Sequence, residues 1–185
     1  MEEVVIVGGA RTPFCEWQGG KRGDGQPGGL LKDYSALKLG EIAIKGALEK
    51  TNTSPENVDH VVMGYALQTC DQAIFGARHA GLGAGIPQEV PMLTLSRICG
   101  SGVQSIVTGA QMIMLGEAET VVSGGMENMS QAPYMLRKAR NGFRMGHGNM
   151  EDLMVADGLW DVYNDFHMGN TAELVSKEYE ISREA

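Results

Sequence analysis

An α/β fold is what this sequence predicts, and three observations predict it. Short β-branched runs alternate with stretches whose apolar residues recur at helical spacing, and glycine or proline marks the junctions between them. The 185 residues are 43% hydrophobic, enough for a domain with a real core. Strand, helix and strand in succession imply a sheet whose strands are joined by right-handed crossovers.

Val4-Val5-Ile6-Val7, ended by Gly8-Gly9, reads as a buried first strand. Residues 34–50 carry Leu37, Ile44, Ala47 and Leu48 as an apolar stripe, with Lys38, Glu41, Lys45 and Glu49 elsewhere, which fits a helix. Thr51-Asn52-Thr53-Ser54-Pro55 stops it. His60-Val61-Val62-Met63 makes a second strand, and residues 73–82 a helix whose exit is marked by Gly83, Gly85 and Pro87. Residues 92–95 form a third strand. Residues 100–115 form a third helix, with Val103, Ile106, Val107, Ala110 and Ile113 on one apolar face. Thr120-Val121-Val122-Ser123 is a fourth strand, closed by Gly124-Gly125. Beyond it the pattern weakens. Residues 126–168 are rich in Met, Gly and Asn, as in a lid or insertion, before a last helix that starts at Thr171 and ends near Tyr179. The Gly-dense residues 19–29 read as a mobile surface loop.

Charge and cysteine usage exclude several function classes. With 15 basic against 23 acidic residues and a net charge of -8, the chain lacks the clustered Lys and Arg of a nucleic-acid binder. No apolar run approaches the roughly 20 residues that span a bilayer, and Met1-Glu2-Glu3 offers no basic signal-peptide start, so no membrane partner and a cytoplasmic location are expected. Cys15, Cys70 and Cys99 form neither a disulfide framework nor a zinc spacing. The four histidines are dispersed as well, and no metal site is expected. Gly81, Gly83 and Gly85 follow a helix and precede Pro87, the wrong context for a dinucleotide fingerprint. The twelve methionines suit gap-filling in a core or lid better than a redox role.

The most informative stretch is Leu95-Ser96-Arg97-Ile98-Cys99-Gly100-Ser101-Gly102-Val103-Gln104. A strand ends in a Gly-rich turn that sets a thiol at the mouth of a helix, among unpaired N–H groups at its positive dipole end. Such a position favours the thiolate and offers donors to a carbonyl oxygen gaining charge. From these residues alone, Cys99 is either a nucleophile or a small buried cysteine at a tight helix start.

Cys99-Gly100-Ser101-Gly102 opening a helix resembles, in outline, the condensing and thiolytic enzymes of the thiolase superfamily. Gly9-Ala10-Arg11-Thr12-Pro13-Phe14, Ser123-Gly124-Gly125-Met126-Glu127-Asn128-Met129-Ser130 and Phe166-His167-Met168-Gly169-Asn170-Thr171-Ala172-Glu173 resemble thiolase segments in the same order. The last two are closer to degradative and biosynthetic thiolases than to ketoacyl synthases.

The resemblance implies an amino-terminal thiolase half-fold over residues 1–129, with a mixed sheet between helices, and the first, incomplete part of a lid or loop domain over residues 130–185. It implies acyl transfer between CoA thioesters, with Cys99 as the acyl-accepting nucleophile and acetyl-CoA, acetoacetyl-CoA or another 3-ketoacyl-CoA as substrate. No cofactor is implied, since coenzyme A enters as a substrate. His167 and Met168 resemble the pair that lines the pantetheine channel, and Leu159 falls where a CoA contact would be. His167 also fits a structural histidine. Arg137, Lys138, Arg140 and Arg144 stand in an acid-free stretch that suits a CoA phosphate, a subunit contact or a solvated loop equally.

Three features depart from the family pattern. Ser96 stands where thiolases typically carry Asn, residues 19–29 look like an insertion, and Cys15 falls where Gly is common. The G-H-P, N-E-A-F and C-x-G-G-G segments that handle protons in thiolases do not occur in these residues. The resemblance therefore implies a second polypeptide carrying the carboxy-terminal half, a dimer or tetramer of such pairs, and inactivity without the companion. The rival reading is a non-catalytic thiolase-like binding or scaffold subunit.

Overall fold

The structure, a computed structural model, describes residues 3–15 and 28–184. Its contacts divide into two units, Met1–Gln131 and Ala132–Ala185. All but the last two residues of the 19–29 loop lie outside the described residues.

Three parallel strands organise the first unit, β1 (His60–Gly64), β2 (Met92–Leu95) and β3 (Val121–Gly125), in the order β2-β1-β3. Val61, Val62 and Met63 are buried to within 2% of full burial, as a run without polar alternation should be when both faces of a parallel sheet are covered. Val61 and Met63 share one cluster with Leu37, Ile44, Ala77 and Ala80 of α1 (Ala36–Thr51) and α2 (Gly76–Gly83). The pleat turns Val62 to the opposite face, where α3 (Ser101–Met114) lies. Helix α1 begins where the Ser35 hydroxyl accepts the Lys38 amide at 3.2 Å and ends at Asn52, in the left-handed region with φ 52°.

Two expectations fail in this unit. Residues 4–7 join no ladder, and Val5, Ile6 and Val7 are 66%, 79% and 76% exposed. β-branching suits a strand but supplies no partner for its backbone. The next residues are instead tied to α1, where Lys50 Nζ donates to the Gly9 carbonyl at 3.2 Å. Helix α3, for its part, docks on the sheet through small residues, Ser101, Ser105 and Gly109, while Val103, Ile106 and Val107 of its expected apolar face stay exposed. The cause is close approach: a Cβ on Gly109 would stand 2.4 Å from Ser123 Oγ, and one on Gly64 2.7 Å from the Ser101 backbone. The glycines expected to close the fourth strand belong to it, Gly124 pairing with Met63 and Gly125 with Gly64.

The second unit holds two short antiparallel ladders, β4 (Tyr134–Leu136) with β5 (Met150–Asp152) and β6 (Trp160–Asp161) with β7 (Phe166–His167), followed by α4 (Met168–Glu178). Parallel and antiparallel pairing thus both occur, in separate sheets. No helix among the described residues is long and apolar enough to cross a membrane.

The exits of β1 and β3 are tied together by side chains that follow Gly125. Glu127 accepts the Ala66 amide at 3.1 Å and the Leu67 amide at 3.2 Å. Asn128 Nδ2 donates to the carbonyls of Leu31, Lys32 and Tyr34, the last at 2.6 Å. Burial pushes the Glu127 carboxyl above its ordinary value, against the pull of the two amides. The folded chain therefore holds that proton more tightly than the unfolded chain does. The stability this gives is full below the unfolded value and is lost as pH rises through the folded one. As pH rises from about 4, the ordinary carboxylate value, wild type should lose stability relative to Glu127→Gln in a series of urea midpoints; parallel pH slopes would acquit Glu127.

Candidate active site

Cys99 stands on the turn between β2 and α3, and the geometry of that turn is unusual. Strand β2 ends at Leu95, whose carbonyl accepts the Tyr65 amide at 2.9 Å and so fixes the turn to the end of β1. The Gly100 amide donates to the Arg97 carbonyl at 3.0 Å and the Ser101 amide to the Ile98 carbonyl at 3.1 Å. Between them Ile98, a β-branched residue, holds φ 47°. The left-handed region costs an ordinary residue about 1–2 kcal/mol, so the surroundings must enforce it.

Ser101 is the enforcing side chain. Its hydroxyl donates to the Ile98 carbonyl at 2.6 Å and accepts the Arg97 amide at 2.8 Å, spanning the turn from inside while 5% exposed. Gly64 makes room for it, because any side chain there would meet the Ser101 backbone. Ser96 adds a weaker tie, its hydroxyl accepting the Ile98 amide at 3.5 Å. The result is that Cys99 is exposed, and the alternative of a small buried cysteine is not what the fold builds.

The Gln104 amide donates to the Gly100 carbonyl, whereas those of Gly102 and Val103 have no acceptor among the described residues. A thiol beside free N–H groups at a helix start can attack a carbonyl carbon while donors stand ready for the oxygen that gains charge. Cys15 and Cys70 are half-buried, and Cys70 Sγ lies 3.8 Å from the Tyr65 hydroxyl.

Leu159, His167 and Met168 come together in the second unit. Trp160 pairs with His167 across β6 and β7, which brings the neighbours Leu159 and Met168 to the same end of the ladder. His167 also caps α4, its Nδ1 accepting the Gly169 amide at 2.9 Å, which leaves the ring proton on Nε2. The structural role weighed for this histidine is thus present. Of the basic residues, Arg137 Nε is engaged by both oxygens of Glu151, at 2.8 and 2.9 Å, while Lys138, Arg140 and Arg144 are exposed. Among the described residues no cluster of three His, Cys, Asp or Glu is placed to hold a metal.

Sequence reasoning passed over Ser101, Glu127 and Asn128 as individuals. All three sit inside the quoted motifs, and the signal that could have singled them out is that each is a polar residue beside a glycine or a strand end.

Comparison with known proteins follows the same outline. The pattern of the thiolase amino-terminal domain matches residues 4–185. The chain is 48% identical to an acetyl-CoA acetyltransferase of Cupriavidus necator, over 100% of this chain and 44% of that protein. It is 47% identical to human mitochondrial 3-ketoacyl-CoA thiolase, over 98% of this chain and 43% of that protein. The crystal structure of that human enzyme in complex with CoA superposes with a TM-score of 0.84 at 47% identity, covering 96% of this chain and 43% of that one. The chain thus spans less than half the length of the curated relatives it matches.

Two substitutions that both loosen the Cys99 turn should move stability in opposite directions. Ser101→Ala leaves the Arg97 amide without its acceptor and should cost about 1–3 kcal/mol. Ile98→Gly relieves the positive φ and should gain up to about 1 kcal/mol. Urea unfolding of the two variants reads both signs; destabilisation by Ile98→Gly would show that φ 47° is not strained.

Proposed function

The chain belongs to the thiolase family, and from that premise we propose that it carries the nucleophile of an acyl transfer between CoA thioesters, with Cys99 as the residue that is acylated. The observation that carries this reading is the exposed thiol on a braced turn at the start of α3. In the cleaving direction the Cys99 thiolate attacks the 3-keto carbon of a 3-ketoacyl-CoA, and the Gly102 and Val103 amides in the first turn of α3 are proposed as donors to the oxyanion. The C2–C3 bond then breaks, its electron pair leaves on the acetyl-CoA carbon and takes up a proton, and the acyl group stays on Cys99 as a thioester. A second CoA thiol attacks that thioester and frees the thiolate. Condensation runs the same steps backwards from an acetylated Cys99. One covalent intermediate shared by two half-reactions gives ping-pong kinetics.

Leu159, His167 and Met168 are proposed as the pantetheine-contacting group. The β6–β7 ladder that gathers them supports this, and the cap on Nδ1 leaves His167 Nε2–H as the donor. The group that gives the carbanion its proton in cleavage, and removes that proton in condensation, is assigned to a companion polypeptide carrying the carboxy-terminal half, in a hetero-oligomer built from such pairs. Each proton-transferring group is typically worth about 10²–10⁴ in rate, so the chain alone is expected not to turn over. Free cysteines fit a reducing compartment, which supports a cytoplasmic site.

Incubation with acetyl-CoA followed by peptide mass mapping should place one acetyl group on Cys99, and Cys99→Ala should lose it while Cys15→Ala and Cys70→Ala keep it. Acetoacetyl-CoA consumption should be absent from the 185-residue chain and restored by a companion. An acetyl adduct that survives Cys99→Ala would sink the nucleophile, and full turnover by the chain alone would sink the division of labour.

A further inference from the structure

The first turn of α3 is anchored on the sheet from two strands. A Cβ on Gly64 of β1 would stand 2.7 Å from the Ser101 backbone, so strand and helix start are in direct contact. One turn on, the fully buried Ser105 hydroxyl donates to the Gly102 carbonyl at 2.7 Å, and the Ser123 hydroxyl of β3 donates to the Ser105 carbonyl at 3.0 Å. Ser101 is therefore a fixed point. On the other side of the turn Cys99 is exposed and Ile98 is 48% exposed.

One side-chain group links the fixed point to the exposed arm. The Ser101 hydroxyl donates to the Ile98 carbonyl at 2.6 Å and accepts the Arg97 amide at 2.8 Å, with only the 3.5 Å contact of Ser96 to the Ile98 amide beside it. Ile98 has no reason of its own to hold φ 47°, since half of its side chain lies in solvent. By the ordinary cost of the left-handed region, loss of the hydroxyl should reduce the share of chains that keep this backbone about tenfold. Ser101 cannot act on a substrate directly. It is 5% exposed and its one proton is committed to the Ile98 carbonyl, so any effect on chemistry runs through the backbone that carries Cys99.

We infer that Ser101 is a positioning residue for the acyl transfer: its hydroxyl sets the rate at which Cys99 is acylated by holding Ile98 left-handed, and it becomes dispensable once residue 98 needs no holding. The inference rests on the proposed role of Cys99 and adds the group that aims the thiol. Attack on a carbonyl carbon depends on alignment, and a misplacement of about 1 Å can cost about 100-fold in rate. Binding of the CoA thioester rests on contacts beyond the reacting atoms. Loss of the brace therefore acts on the limiting rate and not on the concentration that half-saturates it.

The test follows acetylation of Cys99 in the natively purified protein over a range of acetyl-CoA concentrations, read by peptide mass. Ser101→Ala should lower the limiting rate at least about tenfold and leave the half-saturating concentration within about twofold. Ile98→Gly added to Ser101→Ala should bring the rate to within about threefold of Ile98→Gly alone, because glycine holds a positive φ without help. Iodoacetamide is small and needs no fixed approach, so Cys99 should alkylate within about threefold of wild type in every variant. Slow labelling of the half-buried Cys70, which packs against the core, reports that each variant is folded.

Equal limiting rates in Ser101→Ala and wild type, or a raised half-saturating concentration in place of a slower rate, would overturn the inference. So would a double variant that stays about tenfold below Ile98→Gly, or loss of Cys99 alkylation in step with acetylation. If Ser101→Ala labels at Cys70 as an unfolded chain does, Ile98→Gly and the double variant decide by the same limits, and unfolding of the double variant as well would overturn the inference. Wild-type Cys99 that takes no acetyl group would sink the proposed function and this inference together. Wild-type acetylation with variants that match it would sink the inference alone.

Discussion

Strand β1 is paired along both edges and covered on both faces, and the positions of the other elements in the first unit descend from that one arrangement. Fully burying a Val or Met side chain stabilises by about 1.5–3 kcal/mol, and β1 contributes three such side chains in a row. The face that carries Val61 and Met63 holds α1 and α2, and the face that carries Val62 holds α3. Its carboxyl end then gathers the exits of its neighbours. The Tyr65 amide donates to the carbonyl of Leu95, the last residue of β2, the Met126 amide just beyond β3 donates to the Gly64 carbonyl at 3.0 Å, and Gly64 lies against the first residue of α3. Crevices at the carboxyl ends of parallel strands are where α/β proteins bind and transform their ligands. Cys99 stands in that region because the strand order and the crossover leave the β2–α3 turn there.

The turn itself stores strain and spends hydrogen bonds to keep it. A serine hydroxyl with one donor and one acceptor contact inside the turn holds a β-branched residue where glycine would sit more comfortably. A helix could start after β2 without this arrangement; what the arrangement adds is a thiol held outward on a rigid support, beside amides that the helix leaves free. Stability and presentation of the side chain pull in different directions at Ile98, a conflict common where a backbone is shaped for chemistry.

Much of this was legible in the residues. Leu37, Ile44 and Leu48 announced α1 by period, and Val61 to Met63 announced β1 by an unbroken apolar run, because in both cases the information is local. The Cys99 turn was legible as a motif. Its brace was not, since Ser101 reads as a small helix-start residue until its hydroxyl is seen between Arg97 and Ile98. The failures at residues 4–7 and on the outer face of α3 share a cause. Sequence pattern reports what a segment is suited to pair with or bury, and says nothing of whether the neighbour is at hand. The two ladders of the second unit, two and three residues long, are too short to leave any period at all.

The docking of α3 through Ser101, Ser105 and Gly109 has a consequence for how this chain can vary. Positions that look permissive by size are the rigid ones: any side chain at Gly64 or Gly109 drives a wedge between helix and sheet. Positions that look like core by hydropathy, Val103, Ile106 and Val107, are 43–69% exposed and make few demands on the isolated fold. A mutational landscape scored on folding of the chain alone would therefore be inverted relative to one drawn from its hydropathy plot.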